Sequence, residues 1–147
     1  MKVLTILISL FIGEIGLIWG GDFAKAQAEA KENRKLILLN FSGSDWCGPC
    51  IKLKKDIFES EIFSSFADKN LVLLRADFPR LKKNQLDKIQ IGRNEAMAEK
   101  YNQEGKFPFT VLIDTNGKVL KSWDGYPSGI NPESFVSEIK VFSNASK

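Results

Sequence analysis

The sequence predicts an α/β domain built on a central mixed β-sheet with helices on both faces. Three observations lead there. Two apolar runs of strand length, LILLNF (36–41) and LVLLRADF (71–78), lack the polar alternation of a half-exposed strand and fit parallel strands buried on both faces. Segments with apolar residues at helical spacing alternate with them. Third, FPFTVLIDTNGKVLKSW (107–123) divides at Asp-Thr-Asn-Gly, which is hairpin chemistry, so its two strands run antiparallel. Alternating strands and helices followed by a hairpin define a mixed sheet covered on both sides. With 147 residues, 44% of them hydrophobic, the chain can bury one core and needs no second.

At the N-terminus, Lys2 precedes an apolar run from Val3 to Ile12, the layout of an export signal. The run is too short to span a bilayer, and extending it to Trp19 takes in Glu14. No small-x-small cleavage site follows. Residues 1–21 are therefore assigned to a signal peptide or N-terminal membrane anchor, and residues 22–147 to the folded domain. The competing reading makes the apolar run a buried N-terminal strand. From Asp22, a helix cap, Phe23, Ala26 and Ala30 share one helical face. The strand 36–41 follows and ends at Ser-Gly-Ser. IKLKKDIFESEIFSSF (51–66) reads as one helix with Ile57, Phe58, Ile62 and Phe66 facing inward. After Asn70 comes the second strand. PRLKKNQLDKIQIGR (79–93), opened by Pro79, reads as a basic surface insertion. NEAMAEKY (94–101) reads as a short helix capped by Asn94, with Met97 and Tyr101 one turn apart. Beyond the hairpin, Asn131 and Pro132 cap and open a C-terminal helix that buries Phe135, Ile139 and Phe142.

The formal charge of +3, from 21 basic and 18 acidic residues, is too small and dispersed to mark a nucleic-acid partner. Histidine is absent, which removes the commonest metal ligand and the usual general base. The only two cysteines, Cys47 and Cys50, sit in FSGSDWCGPC (41–50). A structural zinc site wants four nitrogen or sulfur ligands, so no metal site is expected. A staple closing so small a loop would constrain little of the unfolded chain. What remains is a redox pair. Cys47 falls where a helix begins, and free N–H groups and the helix dipole there favour a thiolate, so Cys47 is the expected nucleophile. Pro49 suits the first turn because its missing N–H is not needed there. Cys50, shielded one turn on, is the expected resolving thiol.

Trp46-Cys47-Gly48-Pro49-Cys50 between a buried strand and a helix resembles the active site of the thioredoxin family. The resemblance extends from about Ile18 to Phe142. It looks closest to exported bacterial thioredoxin-like proteins related to the reductase domains of thiol:disulfide interchange proteins, through KLILLNFSGSDWCGPCIKLKKDIF, RADFPRLKKN and NEAMAEKY. It implies a thioredoxin-like fold and a thiol-disulfide oxidoreductase acting as a reductase on protein disulfides. The only redox group implied is the Cys47–Cys50 disulfide, with no separate cofactor. A membrane thiol donor would supply electrons, in the bacterial periplasm, with the protein soluble or tethered by its N-terminus. Pro108 corresponds to the family's cis-proline, Trp46 flanks the site, Phe107 presents its backbone to substrate, and Gly48 and Pro49 tune the dithiol.

Three positions depart from the family pattern. Asn40 stands where a buried acid assists the resolving cysteine. The lysine that often pairs with that acid falls at about Leu73. Phe109 follows Pro108 where threonine is frequent, and either adds apolar surface to the site or fills the core. Asp45 is a proton carrier or an ordinary loop acid, and 79–93 a partner-docking segment or a solvated face. Trp123 and Tyr126 either line the groove or pack a turn. Oxidase or isomerase chemistry on the same fold is an alternative direction. A rival of another class is a non-turnover binding or assembly module holding a partner or copper by its thiols, for which Met97 is the only soft ligand besides Met1 and the cysteines.

Overall fold

The computed structural model describes residues 16–145. In chain order these form β1 (Trp19–Gly20), α1 (Phe23–Asn33), β2 (Leu36–Ser42), α2 (Gly48–Leu53), α3 (Glu61–Asn70), β3 (Leu71–Asp77), α4 (Lys88–Tyr101), β4 (Phe109–Ile113), β5 (Val119–Asp124) and α5 (Pro132–Ala145). They make one five-stranded sheet of order β1-β3-β2-β4-β5. The strands β1, β3 and β2 are parallel, and β4 and β5 join antiparallel, as the hairpin chemistry requires. Every residue of β2 is buried, because the strand is central and covered on both faces.

Side chains alternate across the sheet and so build two cores. Leu36 and Leu38 of β2 meet Leu53, Ile57, Phe58, Phe63, Phe135 and Ile139 from α2, α3, α5 and the turn after α2. Ile37, Leu39 and Phe41 face the other way, onto Ala26 and Ala30 of α1 and Met97 of α4. The Asp22 carboxylate caps α1 by accepting the Lys25 N–H (3.1 Å). Phe135 and Ile139 of α5 are fully buried and Phe142 packs against the same cluster.

Four expectations are corrected. The helix drawn over 51–66 is two helices: α2 runs into a π-helical turn, Lys54–Phe58, and the chain restarts at Ser60, whose Oγ accepts the Phe63 N–H (3.2 Å). This restart turns Phe63 inward and leaves Ile62 43% exposed, while Ile57 and Phe58 are buried and Phe66 packs against the core as expected. The segment 79–93 is no single insertion, since α4 begins at Lys88 with Asp87 as its cap, accepting the Gln90 N–H (2.8 Å). Asn94 is therefore no cap. It is buried inside α4, where its amide donates to the Asp77 carbonyl (2.8 Å). Of the two alternatives for Trp123 the structure takes the packed one: it lies in the core, its ring tilted against Phe135 with centroids 4.7 Å apart. The proposed leader lies outside the described residues through position 15, while Trp19 and Gly20 pair with Leu73 and Leu74, so the sheet begins ahead of Asp22.

Candidate active site

The site lies at the C-terminal end of β2, where the strand gives way to α2. Ser42 closes the strand, and Gly43 turns the chain so that its carbonyl accepts the N–H of both Trp46 (3.2 Å) and Cys47 (2.9 Å). Only glycine fits there: a Cβ at position 43 would sit 2.3 Å from the Trp46 ring. Cys47 is the N-cap of α2, and its Sγ accepts the Cys50 N–H at 3.3 Å. Gly48 and Pro49 form the exposed first turn of α2. Cys47 and Cys50 are disulfide-bonded, with Cα atoms 5.2 Å apart, inside the usual range. Exposure does not separate the two sulfurs' residues, at 5% for Cys47 and 4% for Cys50. The expected contrast between an open and a shielded thiol is absent in the oxidised state, and helix position alone distinguishes them.

Pro108 is buried and follows Phe107 through a cis peptide bond. Its carbonyl accepts the Gly125 N–H (2.8 Å), which ties it to the end of β5. The preceding turn is held by Asn102, whose amide donates to the Lys106 carbonyl (2.8 Å) and whose oxygen accepts the Lys106 N–H (2.9 Å). Phe107 then packs edge-on against Trp46 (5.4 Å) and Phe78 (5.5 Å). The Trp46 indole N–H donates to the Phe78 carbonyl (2.7 Å). Trp46, Phe78 and Phe107 thus form one aromatic wall beside the disulfide. Of these, sequence reading missed Phe78. Phe109 is not part of that wall: it pairs with Phe41 (6.3 Å) on the core side facing α1 and α4.

Two carboxylates bind the loops together. Asp45 accepts the backbone N–H of Arg80 (2.9 Å) and Leu81 (2.9 Å) and the Asn84 amide (3.0 Å). These bonds, led by the Arg80 N–H, hold its carboxyl below the usual aspartate range. Asp45 is accordingly a strut between loops and a poor base. Asp77 accepts the Ser44 N–H (2.9 Å) and hydroxyl (2.5 Å). The sequence signal for these struts was slight, an acid and a serine in a loop, because their partners lie more than thirty residues away.

Asn40 is buried on the face toward α2, and its amide donates to Thr110 Oγ1 (3.1 Å). Its partner across β3 is Arg75, whereas Leu73 lies two residues back, beside Leu38. The expectation that the neighbouring strand lacks a cation at this level is corrected: register puts an arginine there. The Arg75 guanidinium does not reach a buried acid. It stacks on Trp19 (4.1 Å) and lies 6.0 Å from the Phe58 ring, with Nε and one terminal nitrogen buried and unpartnered. Burial lowers its pKa, opposed by the charges of Asp77 and Glu59. Among the described residues, no group of three or more His, Cys, Asp or Glu is arranged to hold a metal.

A mixed sheet clad in helices, with a dithiol at the start of the helix after its central strand and a cis-proline alongside, defines a thiol-disulfide oxidoreductase of the thioredoxin class. The chain belongs to the thioredoxin-like family, whose model matches residues 18–115. It is 36% identical over 119 residues to the disulfide bond reductase DsbH of Chlamydia pneumoniae, covering 81% of this chain and 69% of that protein. It is 30% identical over 123 residues to the thioredoxin-related protein DsbJ of the same organism, covering 77% of this chain but only 34% of DsbJ. The solved structure of a DsbH oxidoreductase superposes with a TM-score of 0.78 at 31% identity, over 97% of this chain and 95% of that one.

Proposed function

We propose that the protein works in the reducing direction, as a protein-disulfide reductase in which Cys47 is the nucleophile and Cys50 the resolving thiol. The observation that carries the division of roles is the position of Cys47 as N-cap of α2, where its Sγ accepts a main-chain N–H. That environment stabilises a thiolate, the attacking species. In the reduced protein the Cys47 thiolate attacks one sulfur of a substrate disulfide, forming a mixed disulfide and expelling the other sulfur as a thiolate that takes a proton. Cys50, having lost its proton, attacks Cys47 Sγ and releases the second substrate thiol. Two electrons pass to the substrate, and the Cys47–Cys50 disulfide remains. A thiol donor, which we assign to the membrane, then returns two electrons and two protons.

Pro108 and Phe107 form the wall against which the substrate backbone lies, Trp46 flanks the attacked sulfur, and Gly48 and Pro49 shape the first turn that sets the dithiol's poise. The reducing direction is supported by Gly-Pro between the cysteines and by the kinship with a protein named as a disulfide bond reductase. Within residues 1–21, the apolar run upstream of β1 acts as an export leader or membrane anchor, placing the domain in the periplasm, while Trp19 and Gly20 belong to the sheet. Among the described residues no helix is long and apolar enough to cross a membrane, so anchoring would fall to the upstream run. A reporter fused to residues 1–21 that stays in the cytoplasm would refute export.

The test of the chemistry is reduction of insulin by dithiothreitol with the protein as catalyst. Wild type is expected to accelerate it and Cys47→Ser to leave only the uncatalysed rate. Cys50→Ser is expected to accumulate mixed disulfides through Cys47. Equal catalysis by wild type and Cys47→Ser would end the enzyme reading, and trapping in Cys47→Ser through Cys50 would reverse the roles.

A further inference from the structure

The loop Pro79–Asn84 is held against the active-site loop by three hydrogen bonds to Asp45. What it presents there is Arg80, whose guanidinium lies 3.8 Å from the Trp46 ring centroid. Arg80, Lys82 and Lys83 are all exposed. Among the described residues no carboxylate side chain forms a salt bridge with Arg80, Lys82 or Lys83. Asp45, the acid at hand, spends its oxygens on main-chain N–H groups and an amide, and so fixes the loop without neutralising its arginine.

We propose that this ridge selects substrates: Arg80, backed by Lys82 and Lys83, grips an aspartate or glutamate flanking the disulfide under attack. The inference rests on the oxidoreductase reading above. A guanidinium is a planar fork matched to a carboxylate, and stacking on the indole orients the fork before substrate arrives. Trp46 adjoins Cys47, so a carboxylate bound there lies beside the reacting bond. Leu81, 47% exposed between the cations, adds an apolar contact for the neighbouring residue of the segment. The kind of partner that fits is an extended protein segment carrying a disulfide with acidic neighbours. Exposed charges of this type act mainly on the rate of encounter, and salt screens them.

The experiment compares two disulfide peptides identical except that one carries glutamate and the other lysine on both sides of the cysteine. Reduction of a small neutral disulfide, bis(2-hydroxyethyl) disulfide, runs in parallel. Wild type is expected to favour the glutamate peptide in kcat/KM by about tenfold or more at low ionic strength, the low end of electrostatic steering. High salt is expected to bring the ratio toward one. Arg80→Gln combined with Lys82→Gln and Lys83→Gln is expected to abolish the preference, and Arg80→Lys to keep part of it, having the charge without the fork. General damage to the site would scale both peptides together and leave the ratio alone. Equal kcat/KM for the two peptides in wild type, or a ratio that survives the triple substitution, would overturn the proposal. If wild type reduces neither peptide nor the neutral disulfide, the oxidoreductase reading itself falls and this inference falls with it.

Discussion

Cys47 and Cys50 are buried to nearly the same degree, so the difference between them comes from the backbone: one caps a helix, the other sits within it. That asymmetry was legible in the sequence, because a glycine and a proline after Cys47 announce a helix's first turn. Asp45 was not. Its residue type and loop position left open whether it carries protons, and only the meeting of two distant loops showed its oxygens occupied. A carboxyl whose folded pKa is depressed contributes stability above its unfolded pKa and loses it as pH falls through the lower folded value. The Arg80 and Leu81 amide proton shifts are therefore expected to titrate with a midpoint below about 3.9, the ordinary aspartate value, and to be flat in Asp45→Asn. A midpoint above that value would remove Asp45 as the strut.

At the scale of elements, the strands were readable because burial on both faces leaves a plain mark: β2 and β3 each open with four consecutive buried apolar residues. The helices were readable as periodicity but not at their boundaries. The break between α2 and α3 hides in a continuous helical pattern, and what enforces it is a π-helical turn followed by the Ser60 cap. Ser60→Ala is expected to cost about 1 kcal/mol in urea denaturation, the usual worth of an N-cap hydroxyl. No loss would mean that packing of Phe58 and Phe63, whose centroids lie 5.2 Å apart, makes the break unaided. The start of α4 was missed for a related reason. Asp87 and Asn94 are both good caps by residue type, and only the burial of Asn94 against the Asp77 carbonyl shows that it serves the end of β3 instead.

Across the whole molecule, register decides what stands beneath the site. Asn40 is buried on the central strand, yet sequence reading set its neighbour two residues off, since a parallel pairing carries no local signal of its offset. The partner is Arg75, an arginine inside an apolar cluster with two nitrogens unpaired. Its stacking on Trp19 is worth about 2 kcal/mol, set against two unsatisfied nitrogens. Leaving buried donors of a charged group unsatisfied costs roughly 1–3 kcal/mol or more. The second effect wins, so Arg75→Met is expected to hold or raise the urea midpoint, and a loss beyond about 1 kcal/mol would show the guanidinium to be stabilising. The sequence by itself determined the fold class, the two buried strands, the hairpin and the cysteine pair at a helix start, because each follows from residue type and local spacing. Only the tertiary structure decided which residues surround that dithiol: the aromatic wall of Trp46, Phe78 and Phe107, the Asp45 strut, the free Arg80 and the Asn40–Arg75 pairing. Those contacts join segments about thirty or more residues apart, and their geometry comes from sheet register and loop docking, which no local pattern encodes.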